Sequence, residues 1–184
     1  MEIYLVRHTT PDIEKGVCYG QADIGVLSSF ETESNQVVRK IPKEENVVVI
    51  SSPLKRCTKL AAEFSEKYTT DERLMELDFG KWELKNWNDI PKKEITPWME
   101  DFVNVQVPNG ESYLELFARV LEFYKEIILN KTDQLILVTH GGVIRSLLAY
   151  LTKTDLKDSF DIKVTYGQVS KIVLNEKVTI EASL

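Results

Sequence analysis

Three short apolar runs, at residues 2–6, 47–51 and 135–139, constrain the fold more than any other feature of this sequence. The second reads Val-Val-Val-Ile-Ser and the third Leu-Ile-Leu-Val-Thr. Runs rich in β-branched residues and lacking alternation suit strands buried on both faces, as in parallel sheets. Helical patterns lie between them. Ser52-Pro53 reads as a helix start, with serine as N-cap and proline at the first helical position. Ser112-x-x-Glu115 is a capping box, and Leu116, Phe117, Val120, Tyr124, Ile127 and Ile128 carry the helical period to about residue 129. A third helix is expected from near Gly142 through Ile144, Leu147 and Leu148. Alternation over 164–172 and 177–181 predicts later strands that close the sheet.

Strand, helix, strand, helix in this order predicts an α/β fold: a three-layer α/β/α sandwich with a mostly parallel central sheet and helices on both faces. No repeat and no Pro/Gly/Ser-rich linker divides the 184 residues, so 1–184 reads as one domain. Residues 79–108 hold Trp82, Trp87, Trp98 and Phe102, broken by Pro91 and Pro97, and read as a small helical cap. Their aromatics suit either the cap's own core, the commoner fate, or a cover for an organic leaving group.

In layered folds of this kind ligands bind beyond the carboxyl ends of the strands. There the sequence sets Arg7-His8 after the first run, Ser52 to Arg56 after the second, and His140-Gly141-Gly142 after the third. The chain has two histidines, and both stand at this edge. Arg56 falls in the first turn of its helix, where the macrodipole disfavours a cation unless an anion is bound. The set suits phosphoryl transfer. Two guanidinium forks can hold phosphate oxygens, a neutral imidazole can attack phosphorus, and a second, preferably protonated, imidazole can stabilise the equatorial oxygens. Gly141 and Gly142 let backbone N–H groups approach an anion. An acid for the leaving alcohol is expected between Glu76 and Glu83, and the residues do not choose among Glu76, Asp78 and Glu83.

The net charge of −6 argues against nucleic acid or an anionic membrane as partner, but not against a small anion such as a phosphorylated metabolite. The apolar start is too short for a signal peptide or a spanning helix. Cys18 and Cys57 have neither C-x-x-C spacing nor nearby histidines, which argues against disulfides and zinc and suits a reducing, cytoplasmic setting. No metal or other cofactor is expected. Nothing in the sequence sets the oligomeric state.

These residues resemble the histidine phosphatase superfamily, also called phosphoglycerate mutase-like. The resemblance rests on Arg7-His8-Thr9-Thr10, on Ser51 to Arg56, on Glu76 to Gly80, on Asn109-Gly110-Glu111-Ser112 and on Val138 to Arg145. It implies His8 as nucleophile, Arg7, Arg56, His140 and Gly141 as the phosphate pocket, and Glu76 as acid and then base. It also marks Gln21 and Glu111 as substrate-binding candidates. Two departures stand out. Thr9 replaces the usual Gly, and the Asn found several residues later in many members is absent, with Thr10 offered as a partial substitute. Within the superfamily, the stretches Val17 to Asp23 and Glu76 to Glu83 look most like alpha-ribazole phosphatases, which act on a 5′-phosphate in cobalamin biosynthesis. A broad-specificity phosphatase, a sugar-phosphate phosphatase such as fructose-2,6-bisphosphatase, or a mutase of the same superfamily is the alternative. A phosphate-binding protein that has lost activity is the competing class, and the presence of every expected catalytic residue argues against it.

Overall fold

The computed structural model describes residues 1–42, 44, 46–129, 132–174 and 178–181. Its centre is a six-stranded sheet built from β1 (Glu2–Arg7), β2 (Val47–Ser51), β3 (Thr69–Thr70), β4 (Gln134–Thr139), β5 (Val169–Leu174) and β6 (Val178–Glu181). The strand order is β3-β2-β4-β1-β5-β6. β3, β2, β4 and β1 run parallel, while β5 and β6 join as an antiparallel edge. The expected mostly parallel sheet is therefore present. The later strands start only at Val169, because residues 163–168 form a turn, and residue 177 lies outside the described residues.

The helices are α1 (Phe30–Val38), α2 (Lys55–Phe64), α3 (Lys92–Glu100), α4 (Tyr113–Ile127) and α5 (Gly141–Thr152). Alternate strand residues face opposite layers. Ile3, Leu5, Ile50, Leu135 and Leu137 pack with Leu116, Val120 and Ile144 of α4 and α5. Tyr4, Val6, Val49, Ile136 and Val138 pack with Phe30, Cys57 and Leu60 of α1 and α2. This is why the runs carry no alternation: both faces are covered, and each fully buried aliphatic side chain contributes about 1.5–3 kcal/mol. All six residues of β4 are buried.

The capping box of Ser112 and Glu115 opens α4 as expected. The predicted start of α2 needs correction. The helix begins at Lys55, after an extended Leu54, and no side chain caps it. Ser52 Oγ instead accepts from Leu54 N at 3.4 Å in the turn before the helix, and it lies 2.8 Å from His140 Nε2. α1 was not foreseen; its apolar residues are few and its buried set is Phe30, Ser34 and Val37.

Residues 79–108 hold two 3₁₀ turns and α3, whose interior Pro97 supplies no N–H to the helix. Trp82, Ile90 and Val107 form a small core with Cys18, and Phe79, Trp87 and Trp98 pack on it. Both cysteines are free and buried. Among the described residues no helix is long and apolar enough to cross a membrane.

Candidate active site

The carboxyl ends of β1, β2 and β4 bring the two histidines and two arginines together. His8 and His140 rings lie 5.1 Å apart, edge to face. The register explains the meeting: β1 pairs with β4 from Glu2↔Gln134 to Arg7↔Thr139, so the residue after each strand is a histidine at the same level.

His8 is 2 % exposed. Its Nδ1 lies 2.7 Å from Thr9 O. A carbonyl oxygen only accepts, so Nδ1 carries the proton and Nε2 keeps a free lone pair. Burial first, then the cations Arg56 and Arg7, push the His8 pKa well below the ordinary histidine value. His140 is fully buried, with Nε2 2.8 Å from Ser52 Oγ and 3.5 Å from Cys57 Sγ. Burial and then Arg56 push its pKa well down too. The same direction for both rings disfavours the protonated form preferred above for the second imidazole. Burial likewise pushes the Cys57 thiol up to about 12, so this sulfur beside His140 stays protonated.

Arg56 is fully buried, and its forked nitrogens donate to Ala22 O (2.9 Å) and Gly20 O (2.5 Å). Arg7 Nη1 donates to Val164 O at 2.6 Å. Arg7 Nε, Arg56 Nε and Thr9 Oγ1 are buried without a hydrogen-bond partner among the described residues. Three orphaned donors around His8 are costly unless an acceptor-rich anion satisfies them.

A cavity of about 230 Å³ opens beside these groups, lined by Arg7, His8, Glu76, Gly142 and Arg145 and by the rings of Phe79, Trp87, Trp98, Phe102 and Phe160. Of the three carboxylates left open by the sequence, Glu76 alone is on this wall. Its Oε2 accepts from Gly142 N (3.0 Å) and its Oε1 from Leu77 N (3.0 Å). Glu83 is consumed by the backbone N–H groups of Gly20, Gln21, Ala22 and Phe79. Asp78 accepts from Gly80 N. Of the aromatics in 79–108, Trp82 belongs to the small core, while Trp87 and Trp98 pack on that core and also line the cavity.

Other expected contacts are not brought to the cavity. Thr10 Oγ1 donates to Glu33 Oε2 at 3.0 Å. Gln21 Nε2 donates to Glu76 O at 3.1 Å, supporting the acid segment from outside. Glu111 binds Arg119 Nε (2.7 Å) and Nη2 (2.8 Å) and accepts from Asp78 N. Gly141 lies against Arg7; a Cβ there would be 3.3 Å from Arg7 Cζ and 3.0 Å from Arg145 Nη1.

Sequence reasoning missed several participants. Arg119 also donates to the carbonyls of Arg73, Met75 and Glu76, so one guanidinium holds the backbone that carries Glu76. The available signal was a cation at the i+3 position from Leu116 on an apolar helical stripe. Arg145 was quoted in the motif without a role. Its Nε donates to Ile162 O, and burial and Arg7 lower its pKa. Tyr19 and Tyr166 close the outer side of the site, their hydroxyls 2.5 Å apart, and no local pattern announces that meeting.

A model of the histidine phosphatase superfamily (branch 1) matches residues 3–182, and the chain belongs to that family. It is 24% identical to "Phosphoserine phosphatase 1" of Hydrogenobacter thermophilus, over 96% of this chain and 88% of that protein. It is 30% identical to "Probable phosphoglycerate mutase GpmB" of Salmonella paratyphi C, over 81% and 74%. It is 24% identical to "Adenosylcobalamin/alpha-ribazole phosphatase" of Escherichia coli, over 96% and 92%. The structure of an alpha-ribazole phosphatase from Shigella flexneri superposes with a TM-score of 0.90 at 21% identity, covering 98% of this chain and 95% of that one.

Proposed function

We propose that this chain is a metal-independent phosphomonoesterase that works through a phosphohistidine on His8. The observation that carries this reading is the Nδ1 contact to Thr9 O, which leaves the Nε2 lone pair at a cavity wall shared with Glu76 and Arg7. Nε2 attacks phosphorus, the N–P bond forms as the bond to the leaving oxygen breaks, and Glu76 protonates that oxygen. Glu76 then takes a proton from water as it attacks phosphorus. The N–P bond breaks, and phosphate and neutral His8 are released. Arg7, Arg56, Thr9 and His140 hold the phosphoryl oxygens, whose charge offsets the mutual repulsion of the two arginines. Thr10, Gln21 and Glu111 are left out of this machinery because their side chains are engaged elsewhere.

For the substrate we infer a small phosphorylated metabolite whose leaving alcohol carries an aromatic ring, alpha-ribazole 5′-phosphate being the named candidate. The ring-lined wall and the similarity to alpha-ribazole phosphatase support this. One observation favours a second reading: Arg145 adds a cation to the same wall, which suits a carboxylate such as that of phosphoserine or 3-phosphoglycerate.

Phosphate release with chelator present, from p-nitrophenyl phosphate, alpha-ribazole 5′-phosphate, phosphoserine and 3-phosphoglycerate, separates these readings. Turnover is expected for the wild type, with the ribazole ester preferred. His8→Ala is expected to lose activity by about 10³-fold or more while folding normally. Retained activity in that variant, or a requirement for added metal, would sink the mechanism.

A further inference from the structure

Two neighbouring cavities share Tyr19 and Val17, and the Tyr19 hydroxyl meets that of Tyr166. Tyr19 lines the catalytic cavity of about 230 Å³ and also a neighbouring one of about 250 Å³. Tyr166 lines the second, together with Thr10, Pro11, Ile13 and Lys15. Each ring covers a guanidinium: Arg7 Cζ is 4.0 Å from the Tyr166 centroid, and Arg56 Cζ is 5.5 Å from that of Tyr19. The Tyr166 ring is 5.5 Å from His8. The backbones beneath are anchored. Gly167, at φ +66°, donates its N–H to His8 O at 3.1 Å, and Cys18 exchanges hydrogen bonds with Leu84 and Lys85 on the other side. Tyr166 is nevertheless 39 % exposed and belongs to none of the hydrophobic core clusters.

We propose that this hydroxyl-bridged pair is a partition that sets the length of leaving group the site accepts. Bridged, it confines the leaving group to the aromatic cavity under the cap. Opened, it joins the two cavities and admits an extended organic group beside His8. The inference rests on the reading of His8 as the residue that meets the phosphoryl group. The bridge opposes entry of long groups by the net worth of one hydrogen bond, a factor of about 2–10 in affinity.

The test uses ligands that cannot be hydrolysed, so it does not depend on turnover. Binding of phenylphosphonate and biphenyl-4-ylphosphonate is measured by calorimetry on the wild type, Tyr19→Phe and Tyr166→Phe. Each variant keeps its ring on the arginine and deletes only the bridge. Both are expected to raise affinity for the longer ligand relative to the shorter by about 2–10-fold, and by similar factors. An unchanged ratio in either variant overturns the proposal, as does failure of the wild type to bind both phosphonates. A shifted ratio in a protein that releases no phosphate from any ester would keep the partition and remove the phosphatase reading.

Discussion

His8 meets His140, and Glu76 meets Gly142, across long stretches of chain, and this decides what the sequence could disclose. The histidine–arginine pair after the first strand and the second histidine were legible because strand ends are addressable from pattern alone. The acid was not. Glu76, Asp78 and Glu83 share one stretch, and what separates them is which N–H groups other segments send to each. Glu83 meets the 20–22 loop and Asp78 a turn, while Glu76 meets the first turn of α5 across the cavity from the cap. If Glu76 protonates the leaving oxygen, Glu76→Gln should lower turnover of alkyl phosphates by about 10²–10⁴-fold. The loss should be far smaller on p-nitrophenyl phosphate, whose leaving group needs no proton. Equal losses on both, measured as kcat/KM, would assign Glu76 to something other than proton transfer.

At the level of elements, α5 does more than follow β4. Its Gly142 N–H fixes the Glu76 carboxylate, and a Cβ on Gly142 would come 2.3 Å from Glu76 Oε1. Gly142→Ala should therefore leave the helix intact, even raising its stability by up to about 1 kcal/mol through propensity. It should nevertheless slow alkyl phosphate turnover as Glu76→Gln does, because the acid must swing away. A variant with unchanged melting temperature and unchanged kcat would show that this contact is not used. β1, β2, β4, α4 and α5 were readable because burial on two faces and a capping box leave strong local marks, whereas the two exposed residues of β3 leave none. α1 left few, since its packing rests on Phe30 and Val37 with little else. The start of α2 was misread for an instructive reason: Ser52 looks like a cap, yet the fold spends its hydroxyl beside His140.

For the whole molecule, the two buried histidines make stability depend on pH. Both are buried with their folded pKa values held well below 6.5, and they are the chain's only imidazoles. In the unfolded chain each takes up a proton near pH 6.5, whereas in the fold it does not. The unfolded state therefore binds more protons in this range, and stability must fall as pH falls through 6.5 and below. Between pH 7.5 and 5.5 the loss should approach about 1.4 kcal/mol per imidazole, or about 2.7 kcal/mol for the pair. Carboxylates with lowered pKa, Glu2, Glu33 and Asp71, add their own loss only at lower pH, starting from ordinary values of 4.5, 4.5 and 3.8. Urea unfolding at pH 7.5 and 5.5 measures the difference directly. His8→Asn and His140→Asn should each remove about half of it, leaving the remainder to the other ring. Wild-type and variant proteins that lose stability equally over this interval would mean that the rings protonate within the fold. In that case the neutral Nε2 on which attack at phosphorus depends would fade over the same pH interval.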